Sequence, residues 1–171
     1  EVQDDVDLFR PREPNRQGGE ESGAELKISE LQSAMKALIE ASSDFTGVPV
    51  LVDAGTWPQV PGKEEALRDR GMVISILIPQ CYDQTEVDVN GKFLSWEGCA
   101  VLIEENVSVN QATPGRITAE DAAHALRDVL SGQLVDSSPG TGLMVGNPYY
   151  QNVGTVSGVR VVAMIFYKQF S

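Results

Sequence analysis

A chain of 171 residues with 42% hydrophobic content has the material for one folded domain and an appendage. Its formal net charge of −12 is the wrong sign for a protein that grips nucleic-acid phosphates, because that affinity comes from Lys and Arg. No run of about 18 apolar residues occurs, so no membrane-spanning helix is expected, and no signal peptide is visible.

Residues 1–26 (EVQDDVDLFRPREPNRQGGEESGAEL) are the appendage. Eight are acidic and three are Arg. Pro11 and Pro14 oppose a helix, and Gly18–Gly19 loosen the backbone. Such a composition cannot build its own core. It fits either a disordered tail or an acidic, extended arm that orders on a neighbouring subunit, with Val6, Leu8 and Phe9 as its apolar grip. Residues 27–171 are expected to form the domain.

The domain opens with a helix over Ile28–Ser43, whose Ile28, Leu31, Met35, Leu38 and Ile39 fall on one stripe. A strand at Val48–Val52 follows. A loop punctuated by Pro58 and Pro61 leads to a short helix over Lys63–Arg70, which Gly71 ends. Strand Met72–Ile78 stops at Pro79. The alternation of Val87 and Val89 into Asn90–Gly91, with Phe93 beyond, predicts a two-residue hairpin turn. Strand Gly98–Ile103 is expected to continue to Val109. The next helix has the clearest start: Thr118 as cap, Asp121 three residues on, Glu120 at the positive end of the dipole, and Ile117 and Ala122 placed as a hydrophobic staple. Ala122, Ala125, Leu126 and Val129 form its stripe, and Gly132 ends it. A loop over Ser137–Pro148 leads to the last strand, Val159–Tyr167.

Met72–Ile78, Gly98–Ile103 and Val159–Tyr167 are apolar on both alternating faces, so the sheet they build must be covered on both sides. The expected fold is α+β: a mainly antiparallel sheet of four or more strands, with helices Ile28–Ser43 and Thr118–Ser131 packed on one face. Two helices cover one face only. The other needs a second layer, a long loop or a neighbouring subunit, which points to an assembly.

No chemistry-bearing motif survives inspection. Glu86-Val-Asp88-Val-Asn90-Gly91 with Glu97 follows a calcium-loop spacing, but strands rather than helices flank it, and the hairpin explains the same residues. Gly140-Thr-Gly142-Leu-Met-Val-Gly146 lacks the Lys-Ser/Thr end of a phosphate loop. His124 is the only histidine and is expected to be exposed. Ser157 lies outside any nucleophile elbow. Glu104 and Glu105, adjacent on a strand, should point to opposite faces. Cys81 and Cys99 have no metal-ligand spacing and are expected to be reduced thiols. No catalytic residue, cofactor or metal ion is therefore expected. Trp57 and Trp96 are expected to anchor packing. Tyr149 and Tyr150 suit either a subunit interface or core and loop packing.

The order of elements resembles the tail terminator, or tail-completion, proteins of tailed bacteriophages. The stretch that carries this best is Gly98–Gly132 (GCAVLIEENVSVNQATPGRITAEDAAHALRDVLSG), a long strand leading through a polar loop into a capped helix. The closing strand Val159–Tyr167 fits the same pattern; the acidic arm does not belong to it. The resemblance implies a non-enzymatic virion protein. It would form a homo-oligomeric ring, a hexamer, that terminates the tail tube and joins it to head-connector proteins. DNA would pass through the lumen without specific binding. Asp83, Glu86, Asp88 and Asp136 are the candidate acids for that lumen. The alternative reading is a cytoplasmic α+β binding or regulatory domain without catalytic activity.

Overall fold

The computed structural model describes residues 28–78, 80–87, 93–135 and 142–170, with side chains described over 30–78, 98–135 and 142–168. The arm, and with it Val6, Leu8 and Phe9, lies outside these residues. So does the Asn90–Gly91 turn.

Among the described residues, seven strands form one sheet in the order β1-β2-β4-β7-β5, with β3 also pairing with β4 and β6 with β7. The strands are β1 (Val50–Val52), β2 (Met72–Ile76), β3 (Gln80–Val87), β4 (Phe93–Asn106), β5 (Met144–Val145), β6 (Gln151–Val156) and β7 (Val159–Phe170). β1 and β2 run parallel, and every other pairing is antiparallel. β4 and β7 are the spine, in register from Ser95↔Phe170 to Asn106↔Val159. The antiparallel pairing of β3 with β4, reaching Val87↔Phe93, is the expected hairpin, and it removes the helical flanks that a calcium loop requires.

Alternation along these strands splits the core in two. On the first face, α1 (Ile28–Ala41) contributes Leu31, Met35 and Ile39, and α4 (Ala119–Leu130) contributes Ala122, Leu126 and Leu130. They pack on Ile74, Ile76, Cys99, Val101, Ile103, Val162, Met164 and Phe166 of the sheet. The two main helices thus share a face, as their apolar stripes require. The second face holds a smaller cluster. Ala66 and Leu67 of α2 (Lys63–Asp69) lie on Val73, with Leu51 and Val159 packed against them. The second layer demanded by the two-faced strands is therefore partly supplied by α2, which connects the parallel pair β1 and β2.

Local chemistry sets the boundaries. The Thr118 hydroxyl accepts from the Asp121 amide, as its spacing predicts. Gly71 ends α2 with a left-handed φ of 78°. A Cβ there would stand 2.8 Å from the Asn110 amide nitrogen, so the position tolerates only glycine. The strand predicted to run to Val109 stops at Asn106, whose side chain caps the short helix α3 (Val107–Gln111) by accepting from the Val109 amide. β5 and β6 are additions to the predicted elements. β6 turns into β7 through Ser157 and Gly158, both at positive φ (52° and 81°), which is the backbone a tight hairpin needs.

Candidate functional site

Among the described residues, three groups of side chains are candidates for a site. The first is polar and buried. Glu104 and Glu105 leave β4 on opposite faces. On the second face, Glu104 Oε1 accepts from Lys63 Nζ at 3.1 Å. On the first, Glu105, 1% exposed, accepts from Asn110 Nδ2 at 2.7 Å and from the Ala119 amide at 3.1 Å. Arg160 Nη1 stands 4.0 Å from Glu105 Oε2 and 2.6 Å from Glu120 Oε2. A carboxylate at the first amide of α4 complements the helix dipole. Its oxygens are engaged by groups that position α3 and α4, so the arrangement is structural rather than catalytic.

The second group surrounds the two tyrosines. Tyr149 Oη lies 2.7 Å from His124 Nδ1, the Tyr149 and Tyr150 rings meet edge to face at 5.1 Å, and the Arg127 guanidinium lies 5.1 Å from the Tyr149 centroid. Asp128, hydrogen-bonded to Arg127 at 2.8 Å, holds that guanidinium above its ordinary pKa range. His124 is exposed, as expected from its helical position, while both tyrosines are half-buried against the first-face core. The tyrosines therefore do pack on the fold, and they also present edges to solvent beside His124 and Arg127.

The third group is apolar and open. On the second face, beyond the reach of α2, Trp57, Ile78 and Ile165 are 52%, 38% and 39% exposed. With Gly98 and Ala100 they line a cavity of about 330 Å³. Its depth follows from sequence. Gly98 and Ala100 are consecutive residues of β4 on this face, and their small side chains leave the floor low beside Ile165, the β7 partner of Ala100. The rim is shaped by Asp53, whose Oδ1 accepts from the amides of Gly55 (2.9 Å), Thr56 (2.7 Å) and Trp57 (3.1 Å). Through Oδ1 that carboxylate holds the turn that presents Trp57. Trp57 was expected to anchor packing; instead it stands out at the mouth.

Among the described residues no three His, Cys, Asp or Glu side chains converge as a metal site, and no helix is long and apolar enough to cross a membrane. Cys99 is buried, and its thiol donates to the Leu77 carbonyl at 3.1 Å. Of the acids named for a lumen, Asp83 and Glu86 fall on β3, where side chains are not described, and Asp88 and Asp136 lie outside the described residues, as does the Trp96 side chain. Sequence reasoning did not single out the cavity. Its signal was the pair of small residues Gly98 and Ala100 on the outward-facing positions of an otherwise bulky strand.

No protein-family model matches the sequence, and no curated protein matches it. Among solved structures, a chain of the "Virion of native gene transfer agent (GTA) particle" has a similar fold. The TM-score is 0.54 and the identity 19%, with 81% of this chain and 92% of that chain covered. At that identity the likeness establishes a shared architecture.

Proposed function

We propose that this chain is a structural protein of a phage-like particle, acting as a tail terminator. Copies close into a ring, a hexamer, that ends the tail tube and meets the head connector. The observation that carries this is the fold shared with a chain of a virion particle over 92% of that chain. The partly exposed Trp57, Ile78 and Ile165 on the second face offer apolar surface for contact with a neighbouring molecule. Glu105, Asn110, Asp53 and the Lys63–Glu104 pair serve helix starts, a turn and an ion pair, which suits a structural role.

In this reading the ring admits DNA without holding it. Six copies carry about −72 formal charges, six times the −12 of one chain, and a field of that sign repels phosphates. A basic bore would instead retain DNA with steep salt dependence. Tyr149 and Tyr150, with their exposed edges beside Arg127, are the proposed aromatic contacts between copies or to the adjoining tail component. Electron microscopy of the purified full chain tests the proposal. Closed rings that bind preformed tail tubes at one end support it; a chain that neither closes into rings nor binds tubes overturns it.

A further inference from the structure

The cavity on the second face lacks a cover among the described residues, and the chain's own path indicates what covers it. α1 is tied near its N-terminus by Gln32. This side chain is 3% exposed, and its Nε2 donates to the carbonyls of Asp53 (3.0 Å) and Ile76 (3.1 Å). Asp53 lines the cavity, and Ile76 is followed directly by Leu77 and Ile78, which line it too. Ile28 lies one turn upstream of Gln32, about 6 Å along the helix axis. The 27 residues that precede it therefore join the domain at the end of the sheet where the cavity opens.

Val6, Leu8 and Phe9 are the densest apolar group in that segment, which is otherwise mostly acidic and polar. Nineteen positions separate Phe9 from Ile28, a span of up to about 60 Å when extended. A domain of this size has a radius of gyration of about 15 Å. The segment can thus extend well beyond the radius of its own domain, which allows it to reach an adjacent copy. The cavity suits such a guest: an apolar floor at Ala100 and Ile165, a tryptophan at the mouth, and room for large side chains.

We propose that the cavity lined by Trp57, Ile78 and Ile165 receives Leu8 and Phe9 from the N-terminal arm of a neighbouring copy. Each copy then donates one arm and accepts one. This head-to-tail exchange closes when the copies form a ring, so the inference rests on the ring reading and supplies its linkage.

The test uses the full chain carrying Asp7→Cys and Ala54→Cys in a Cys81→Ser background. Asp7 adjoins Leu8, and Ala54 is an exposed position between two cavity-lining residues. Mild oxidation is expected to join chains, giving covalent multimers on a denaturing, non-reducing gel. Each single-cysteine variant should give none of this ladder. A second variant, Leu8→Asp with Phe9→Asp, should weaken self-association on the order of 100-fold or more. The emission of Trp57, read in a Trp96→Phe background, should move to longer wavelength as the ring loses its apolar cover. Rings that form normally, with links only within chains or none, overturn the arm exchange and leave the ring reading standing. A wild-type chain that stays monomeric overturns the ring reading itself, and the exchange with it.

Discussion

The Glu105 carboxylate accepts a hydrogen bond from the Ala119 amide at 3.1 Å while its other oxygen accepts from Asn110. One buried side chain of β4 thereby fixes the start of α4 and the position of α3. Replacing Glu105 with Ala leaves the Ala119 amide and the Asn110 side chain short of partners and removes one of the two anions near Arg160, the other being Glu120. The expected cost is about 3 kcal/mol. Glu105→Gln keeps an acceptor for Asn110 and should cost less, about 1–2 kcal/mol. Urea denaturation of the two variants checks this; a Glu105→Ala chain as stable as wild type would show that the network contributes nothing.

Lys63 and Glu104 form the corresponding pair on the second face, with side chains 13% and 9% exposed. Lys63→Met should destabilise by about 3 kcal/mol, because it strands a buried carboxylate. Adding Glu104→Leu should recover most of that loss, since an apolar pair of similar volume is close to neutral at such sites. A double variant no more stable than the single one contradicts this account of the pair.

Gln32 donates to the Asp53 carbonyl and is a second donor to the Ile76 carbonyl, which also accepts from the Asp53 amide. Gln32→Ala should cost about 1–3 kcal/mol, and amide exchange should quicken first in the N-terminal turns of α1. Uniform loss across the domain, with no local opening of α1, would mean that Gln32 is not its anchor.

Tyr149→Phe removes only the hydroxyl facing His124, an exposed pair, and should change stability by less than about 1 kcal/mol. Tyr149→Ala with Tyr150→Ala should weaken association with the neighbouring copy or tail component while the domain stays folded. Circular dichroism and light scattering separate the two effects. Unchanged association would remove these rings from the interface.

Periodicity carried much of the fold. The stripes of α1 and α4, the Thr118 cap, the Gly71 stop and the antiparallel β3–β4 pairing were all legible, because each depends on spacing or on a backbone only certain residues adopt. What was not legible depended on tertiary partners. The end of β4 was misplaced because Val107 and Val109 read as strand, while the Asn106 cap and the approach of Gly71 to Asn110 turn the chain into α3. β6 was overlooked because its residues are mostly exposed polar and small; Ser157–Gly158 was the available turn signal. The two-faced apolar strands correctly demanded a second layer, yet sequence could not show that α2 would supply only part of it. The cavity arises from what Gly98 and Ala100 lack, and an absence of side chain acquires meaning only once its neighbours are placed.

The most direct measurement is the solution mass of the full chain by sedimentation over a range of concentrations. The account predicts a discrete closed species at six times the 18.5 kDa chain, seen as rings by electron microscopy. A chain that remains monomeric at high concentration and in the presence of tail-tube and head-connector components would contradict it.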